Sequence, residues 1–152
     1  MKISKWHGLG NDFILTELSK FSSFDIRGAV ERLCDRHFGV GADGVVTIRH
    51  LSGNAFEMRI YNADGTEPEM CGNATRCVGL YIKRRMLARG DEFELRTKGG
   101  IVRPKVLENG TVRVDMGEPR LLRGEIPVAG NPAEQAREVK LRADGRDFTA
   151  FC

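Results

Sequence analysis

The chain has 152 residues, 41% of them hydrophobic and 30% charged, a length and balance that build a compact globular domain rather than a disordered or fibrous segment. A formal net charge of +3 is too small for the electrostatic footprint of a nucleic-acid binder, and the basic cluster Lys83-Arg84-Arg85 lacks a neighbouring aromatic platform. No apolar run nears the ~18 residues a membrane span needs, and the opening Met1-Lys2-Ile3-Ser4-Lys5-Trp6 lacks a signal peptide's apolar stretch, so a cytoplasmic location with reduced thiols is expected.

Residues 1–18 read as extended structure broken at Gly8-Leu9-Gly10-Asn11-Asp12, whose glycines and Asn-Asp pair supply turn chemistry. A helix capped by Asp25 is predicted to run to Arg36, because Ile26, Ala29, Val30 and Leu33 fall on one face. Gly39 and Gly41 break the chain, and the β-branched run Val45-Val46-Thr47-Ile48 reads as a strand. Residues 56–60 alternate as a second strand with one face buried. A polar loop over 62–70 turns at Asp64-Gly65. The spacing of Cys77, Val78, Tyr81, Ile82 and Leu87 predicts a helix over 73–88, stopped by Gly90. Short strands are predicted at 93–97, 101–106 and 111–116. Residues 117–133 hold three of the five prolines and read as loop or edge. A closing hairpin pairs 139–141 with 148–151 through a turn at Asp144-Gly145. The fold class is α+β, many short strands around two helices, in one domain over 1–152. The chain ends inside a strand-like run, Phe148-Thr149-Ala150-Phe151-Cys152, from which a truncated chain is expected.

The chemistry concentrates at Met70-Cys71-Gly72-Asn73, just ahead of a helix start. A helix N-terminus carries partial positive charge and unpaired N–H groups, which favour a thiolate. Gly72 lets backbone approach a ligand closely, and the N–H groups of Gly72, Asn73 and Ala74 can form a nest for a carboxylate. A thiolate beside such a nest suits proton transfer at the α-carbon of an amino acid. The competing reading is a buried structural cysteine, since Cys is among the most buried residue types. Cys77, in phase with Tyr81, and Cys34, on the apolar face of the first helix, read as core; Cys152 carries little signal. No pair of the four cysteines has C-x2-C spacing, so neither a metal nor a disulfide framework is expected. His7 reads as structural or hydrogen-bonding, His37 and His50 as solvated or locally bonded. Asn11 and Asn62 either cap their glycine-bearing turns or hydrogen-bond a polar substrate. The run Gly39-Val40-Gly41-Ala42-Asp43-Gly44 lacks the GK[ST] ending of a phosphate loop and does not fit the dinucleotide fingerprint.

Four motifs, in order along the chain, resemble the diaminopimelate epimerase family. They are Lys5-Trp6-His7-Gly8-Leu9-Gly10-Asn11-Asp12-Phe13, Arg36-His37-Phe38-Gly39-Val40-Gly41-Ala42-Asp43-Gly44, Asn62-Ala63-Asp64-Gly65 leading to Met70-Cys71-Gly72-Asn73, and Met116-Gly117-Glu118-Pro119. The resemblance implies two similar domains, each a barrel-like, mainly antiparallel sheet wrapped around a central helix, with the active site between them. The helix over 73–88 would be central to the first domain. The second domain, with a second catalytic cysteine, would lie beyond Cys152. The implied reaction inverts one stereocentre of LL-2,6-diaminopimelate to give the meso form, in lysine and peptidoglycan precursor biosynthesis, with no pyridoxal phosphate, metal or other cofactor. One thiolate removes the α-proton while a thiol on the opposite face delivers one. Carried over, Cys71 is the first-domain acid/base, Gly72 and Asn73 hold the reacting carboxylate, and Asn11 and Asn62 contact substrate. The partner is then a small molecule, with no nucleic acid or membrane; a homodimer stays open, and this segment alone is expected to be inactive. Two departures bear on substrate choice. Gly44 stands where some members carry a substrate-contacting glutamine, and Ala74 stands where Cys-Gly-Asn-Gly is frequent. The alternatives are a sister amino-acid racemase of the same fold and an amino-acid-binding half-protein without turnover. Thiol redox through Cys71 and Cys77 is disfavoured by the missing C-x-x-C.

Overall fold

The computed structural model describes residues 2–18, 26–126 and 128–151; the predicted cap Asp25 and the thiol of Cys152 lie outside them. Contacts divide the chain into two compact units, Met1–Met116 and Gly117–Cys152.

The first unit is built from hairpins joined by helices. β1 (Ile3–Gly8) and β2 (Asn11–Glu17) pair antiparallel, with Gly8 facing Asn11. Leu9 and Gly10 make the two-residue turn with φ of 57° and 87°, the positive pair that matches the twist of a hairpin. After α1 (Arg27–Cys34), β3 (Gly44–Ser52) lies parallel to β2 and antiparallel to β4 (Ala55–Asn62). After α2 (Gly72–Arg84), β5 (Glu94–Thr97) lies parallel to β4 and antiparallel to β6 (Gly100–Val102). The six strands form one sheet in chain order. Parallel neighbours need a crossover, and the two helices supply one each. β7 (Pro104–Val106) and β8 (Val112–Val114) form a separate hairpin.

The helices cover opposite faces of the sheet. Phe13, Leu15, Val46, Ile48, Phe56, Met58 and Ile60 pack with Ala74, Cys77, Val78, Tyr81 and Ile82 of α2. Ile14, Val45 and Tyr61 pack on the other face with Val30 and Cys34 of α1. β2 is therefore apolar at successive positions, as a strand covered on both faces must be. β7 and β8 close the far side of α2, where Val106 and Val112 join the same core and a Cβ on Gly79 would lie 3.1 Å from Val112. This is the mostly antiparallel α+β arrangement expected, with α2 as the enclosed helix. Among the described residues no helix is long and apolar enough to cross a membrane.

Most expected elements recur with ends shifted by a residue or more, and three differences have a clear physical cause. α1 ends at Cys34, not Arg36, because the Asp35 carboxylate accepts the His37 and Phe38 N–H groups at 2.7 and 2.8 Å, which turns the chain. The run predicted as one strand over 101–106 is divided between β6 and β7, in different sheets. Pro104 has no N–H with which to continue the ladder. α2 starts at Gly72 and ends at Arg84, before Gly90. Met86, at φ 52°, takes the left-handed position, with Leu87 N–H donating to Ile82 C=O and Met86 N–H to Lys83 C=O, both at 3.1 Å. That pair of bonds is the Schellman stop, usually made by glycine.

In the second unit, β9 (Val139–Ala143) and β10 (Arg146–Ala150) form the expected hairpin about Asp144-Gly145. Ahead of it, Leu122 bridges Gln135.

Met86→Gly tests the helix stop. The side chain is 87% exposed, so its removal loses little packing, and relief of the left-handed strain is expected to raise the unfolding free energy by about 0.5–1 kcal/mol. Urea denaturation measures this; a loss of stability would overturn the assignment of strain to Met86.

Candidate functional site

Cys71 sits at the N-cap of α2 with extended backbone, φ −145° and ψ 117°. Its carbonyl accepts the Thr75 N–H at 2.9 Å and the Thr75 hydroxyl at 3.0 Å. The N–H groups of Gly72, Asn73 and Ala74 thus precede the first intrahelical bond, where a helix leaves its donors unpaired. The first turn carries no acidic residue, and no side chain caps it. There is room at the helix start: the atoms nearest a Cβ built on Gly72 are those of the Met116 side chain, at 3.8 Å, and an Arg76 nitrogen, at 3.9 Å. The Cys71 thiol is half-buried, unlike the other described cysteines. Cys77 lies in the α2 core, where burial pushes its thiol up to about 11. Cys34 is buried under α1 and is also pushed upward, first by burial. Only Cys71, of the three, combines exposure with a helix start.

The β1–β2 turn brings Asn11 to this helix start. The close approach is marked by Gly8, where a Cβ would lie 3.2 Å from the Asn73 carbonyl oxygen. The Asn11 Oδ1 accepts from Asn73 Nδ2 at 3.2 Å and lies 4.0 Å from Cys71 Sγ, the outer reach of a thiol donor. The Asn11 Nδ2 donates to Asp43 Oδ2 at 2.8 Å, which also accepts the Asp12 N–H at 3.0 Å. Asp43 Oδ1 and Asp12 Oδ1 both accept from Arg36 Nη2, at 2.8 and 2.7 Å. Arg36 Nη1 completes a bidentate pair with Asp12 Oδ2 at 3.1 Å, and Lys5 Nζ adds a fourth contact at 3.1 Å. Hydrogen bonds from Arg36, then from Lys5 and the Asp43 N–H, hold the Asp12 carboxyl far below its ordinary value. Asp43 is held down chiefly by Asn11 and then by the Asp12 N–H.

The remaining candidates are placed as follows. Asn62, at the end of β4, gives its amide to the Thr66 hydroxyl at 2.9 Å, inside its own turn. That turn is tied to the site by the Ala63 N–H, which donates to the Asp43 carbonyl at 3.0 Å. Gly44 faces Asn62 across the β3–β4 ladder, and a Cβ there would lie 2.6 Å from the Tyr61 carbonyl oxygen. As the two strands lie here, a side chain at 44 would need the Tyr61 carbonyl to shift. The 39–44 loop is no phosphate cradle: the Val40 and Gly41 N–H groups donate to Leu33 C=O and the Ala42 N–H to Cys34 C=O, closing α1. His7 is exposed on β1, and His50 bonds the Gly53 carbonyl at 2.9 Å. Among the described residues no group of His, Cys, Asp and Glu is placed to hold a metal ion. Sequence reasoning assigned no role to Asp12, Arg36, Asp43 or Arg76. Three of these stand in the quoted motifs, and Arg76, five residues after Cys71, offers only its unusual positive charge near a helix start as a signal.

A helix start without an acidic residue or a side-chain cap, with one partly exposed thiol beside it, has the chemistry to attract an anion and exchange a single proton. A family model described as diaminopimelate epimerase matches residues 3–122. The chain is 48% identical, over 97% of its length, to the diaminopimelate epimerase of Desulforudis audaxviator, covering 54% of that protein. It is 49% identical over 87% of its length to that of Pelotomaculum thermopropionicum, covering 49%, and 42% identical over all its length to that of Nostoc punctiforme, covering 56%. The chain belongs to the diaminopimelate epimerase family. It spans about half the length of the curated relatives it matches. A phenazine biosynthesis protein of the PhzF family from Bacillus anthracis shares the fold, with TM-score 0.55 and 20% identity over 75% of this chain and 40% of that one.

The Asp12–Arg36–Asp43 cluster predicts an acid response. Carboxyls depressed in the folded state stabilise it above their unfolded value, ordinarily 3.8, and that contribution is lost as pH falls through the depressed values. Urea unfolding from neutral pH to about pH 2 should show stability declining below that ordinary value. Asp12→Asn should be less stable at neutral pH and flatter in acid; an unchanged acid slope would remove Asp12 as its source.

Proposed function

We propose that this chain contributes one face of the active site of a cofactor-independent diaminopimelate epimerase. Cys71 exchanges the α-proton, and the N–H groups of Gly72 and Asn73 bind the α-carboxylate. The observation that carries the reading is the half-buried thiol at the N-cap of α2, beside a helix turn with no acidic residue and no side-chain cap. An α-hydrogen of an amino acid is a weak acid. Its removal needs charge stabilisation where the carboxylate becomes enolate-like, and preorganised N–H donors provide that without reorganisation. Inversion needs a second proton-transfer group on the opposite face. Cys77 and Cys34 are core residues, so neither is available for it. The relatives run to nearly twice this length, which leaves room for a second half carrying the other thiol.

The substrate assignment rests on the relatives' names. Gly44, standing where some members of the family carry a substrate-contacting glutamine, favours one second reading: a sister racemase whose distal pocket recognises another amino acid.

Incubation in deuterated water with LL-diaminopimelate and a panel of L-amino acids tests both. The protein from the whole reading frame should incorporate deuterium at the α-carbon of diaminopimelate with inversion. Incorporation into a different amino acid alone would move the protein to the second reading, and none into any would leave a binding protein. The 152-residue chain by itself should not invert the substrate; full turnover would defeat the two-face argument. In the active protein Cys71→Ala should cost about 10²–10⁴-fold in rate, the range for a lost acid/base group. Cys77→Ala should act on stability instead.

A further inference from the structure

Two asparagines beside Cys71 form a chain of side-chain hydrogen bonds with a definite direction. Arg76 donates to Asn73 Oδ1. Asn73 Nδ2 donates to Asn11 Oδ1 at 3.2 Å. Asn11 Nδ2 donates to Asp43 Oδ2 at 2.8 Å. A primary amide can ordinarily turn over and exchange its oxygen and nitrogen. Here both ends forbid it. A guanidinium only donates, so Asn73 must present its oxygen to Arg76. A carboxylate only accepts, so Asn11 must present its NH2 to Asp43. The middle bond survives only if both amides keep these orientations or both turn over together, and the two ends forbid the second arrangement. Asp43 cannot turn away to relieve the constraint, because its second oxygen is held by Arg36 at 2.8 Å.

We infer that Asp43 and Arg76 are positioning residues. Acting from opposite ends of the Asn11–Asn73 amide chain, they hold the Asn11 carbonyl oxygen, rather than its NH2, against the Cys71 sulfur. The two orientations differ chemically. An oxygen accepts the proton of a thiol, whereas an NH2 would donate to a thiolate. The chain thus keeps an acceptor at the sulfur and leaves the Gly72 and Asn73 N–H groups for the ligand. Arg76 also places a cation beside that same helix start, its nitrogen 3.9 Å from a Cβ built on Gly72. A cation there opposes the helix dipole, a cost that an anionic ligand relieves.

The inference rests on Cys71 as the working thiol, but its test does not need turnover. Peptide-resolved mass spectrometry follows iodoacetamide alkylation of Cys71 at one neutral pH in the unaltered chain, Asp43→Asn, Arg76→Met and the double variant. Either end alone still orients the amides, and charge effects through space multiply. Release of both ends lets the pair turn over. The double variant should therefore alkylate about fivefold faster than the product of the single effects, the worth of one hydrogen bond at the thiolate. In an Asn11→Ala background, with no amide to turn, that excess should vanish. A double variant equal to the product of the singles would overturn the inference, as would an excess that survives Asn11→Ala. Asp43→Ser, which likewise ends the acceptor-only constraint, replaces Asp43→Asn if that variant does not fold. Failure of the deuterium experiment with a positive alkylation cycle would reject the epimerase reading and leave the positioning network standing; the reverse pattern would do the opposite.

Discussion

The site depends on one guanidinium shared by two carboxylates. Asp12 closes the β1–β2 turn and Asp43 opens β3, two segments whose like charges would otherwise repel. Arg36 between them converts that repulsion into a bidentate pair with one and a single bond to the other. The Asp43 N–H donates to the Asp12 carbonyl at 2.9 Å, directly ahead of the first parallel pair, Phe13 with Gly44. The clamp therefore stands at the head of the β2–β3 ladder and sets where it begins. It also fixes Asn11, and through Asn11 the geometry in front of Cys71.

Arg36 reaches that position because α1 stops early. Had the helix continued to Arg36, the guanidinium would have stayed on the helix surface. The Asp35 carboxylate, by taking two N–H groups beyond the helix, releases the chain there. Local turn chemistry thus has a consequence two strands away. The contacts are partly exposed, with 53% of the Arg36 side chain accessible. Their worth lies in orientation more than in stability, since exposed ion pairs stabilise little.

Cysteine shows how burial separates roles within one residue type. Cys77 lies six residues beyond Cys71, on a helix enclosed by the sheet and by β7–β8. At that depth the charged form is disfavoured and the side chain packs as a small hydrophobe. Cys71 stands where the same helix emerges, half-buried, beside a first turn that no side chain caps among the described residues. The helix is central to both facts: its middle supplies the core and its end supplies the site.

What the sequence determined by itself is local. The hydrophobic period marked both helices, alternation and β-branching marked the strands, and turn residues marked the break over residues 8–12 and the hairpin at Asp144-Gly145. The position of Cys71 before a helix, and Cys77 within its apolar face, could be read from spacing because a helix has a fixed period. The tertiary structure alone decided that Met86 rather than Gly90 ends α2, since the stop is made by a pair of backbone bonds that no single residue type announces. It alone divided residues 101–106 between two sheets. It alone joined Asn11 to Asp43 across 32 positions and to Asn73 across 62, because the parallel pairing of β2 with β3 and the lie of α2 on the sheet are long-range facts. A motif shows that such residues occur in order; only folding brings a carboxylate and a guanidinium to the two ends of one amide chain.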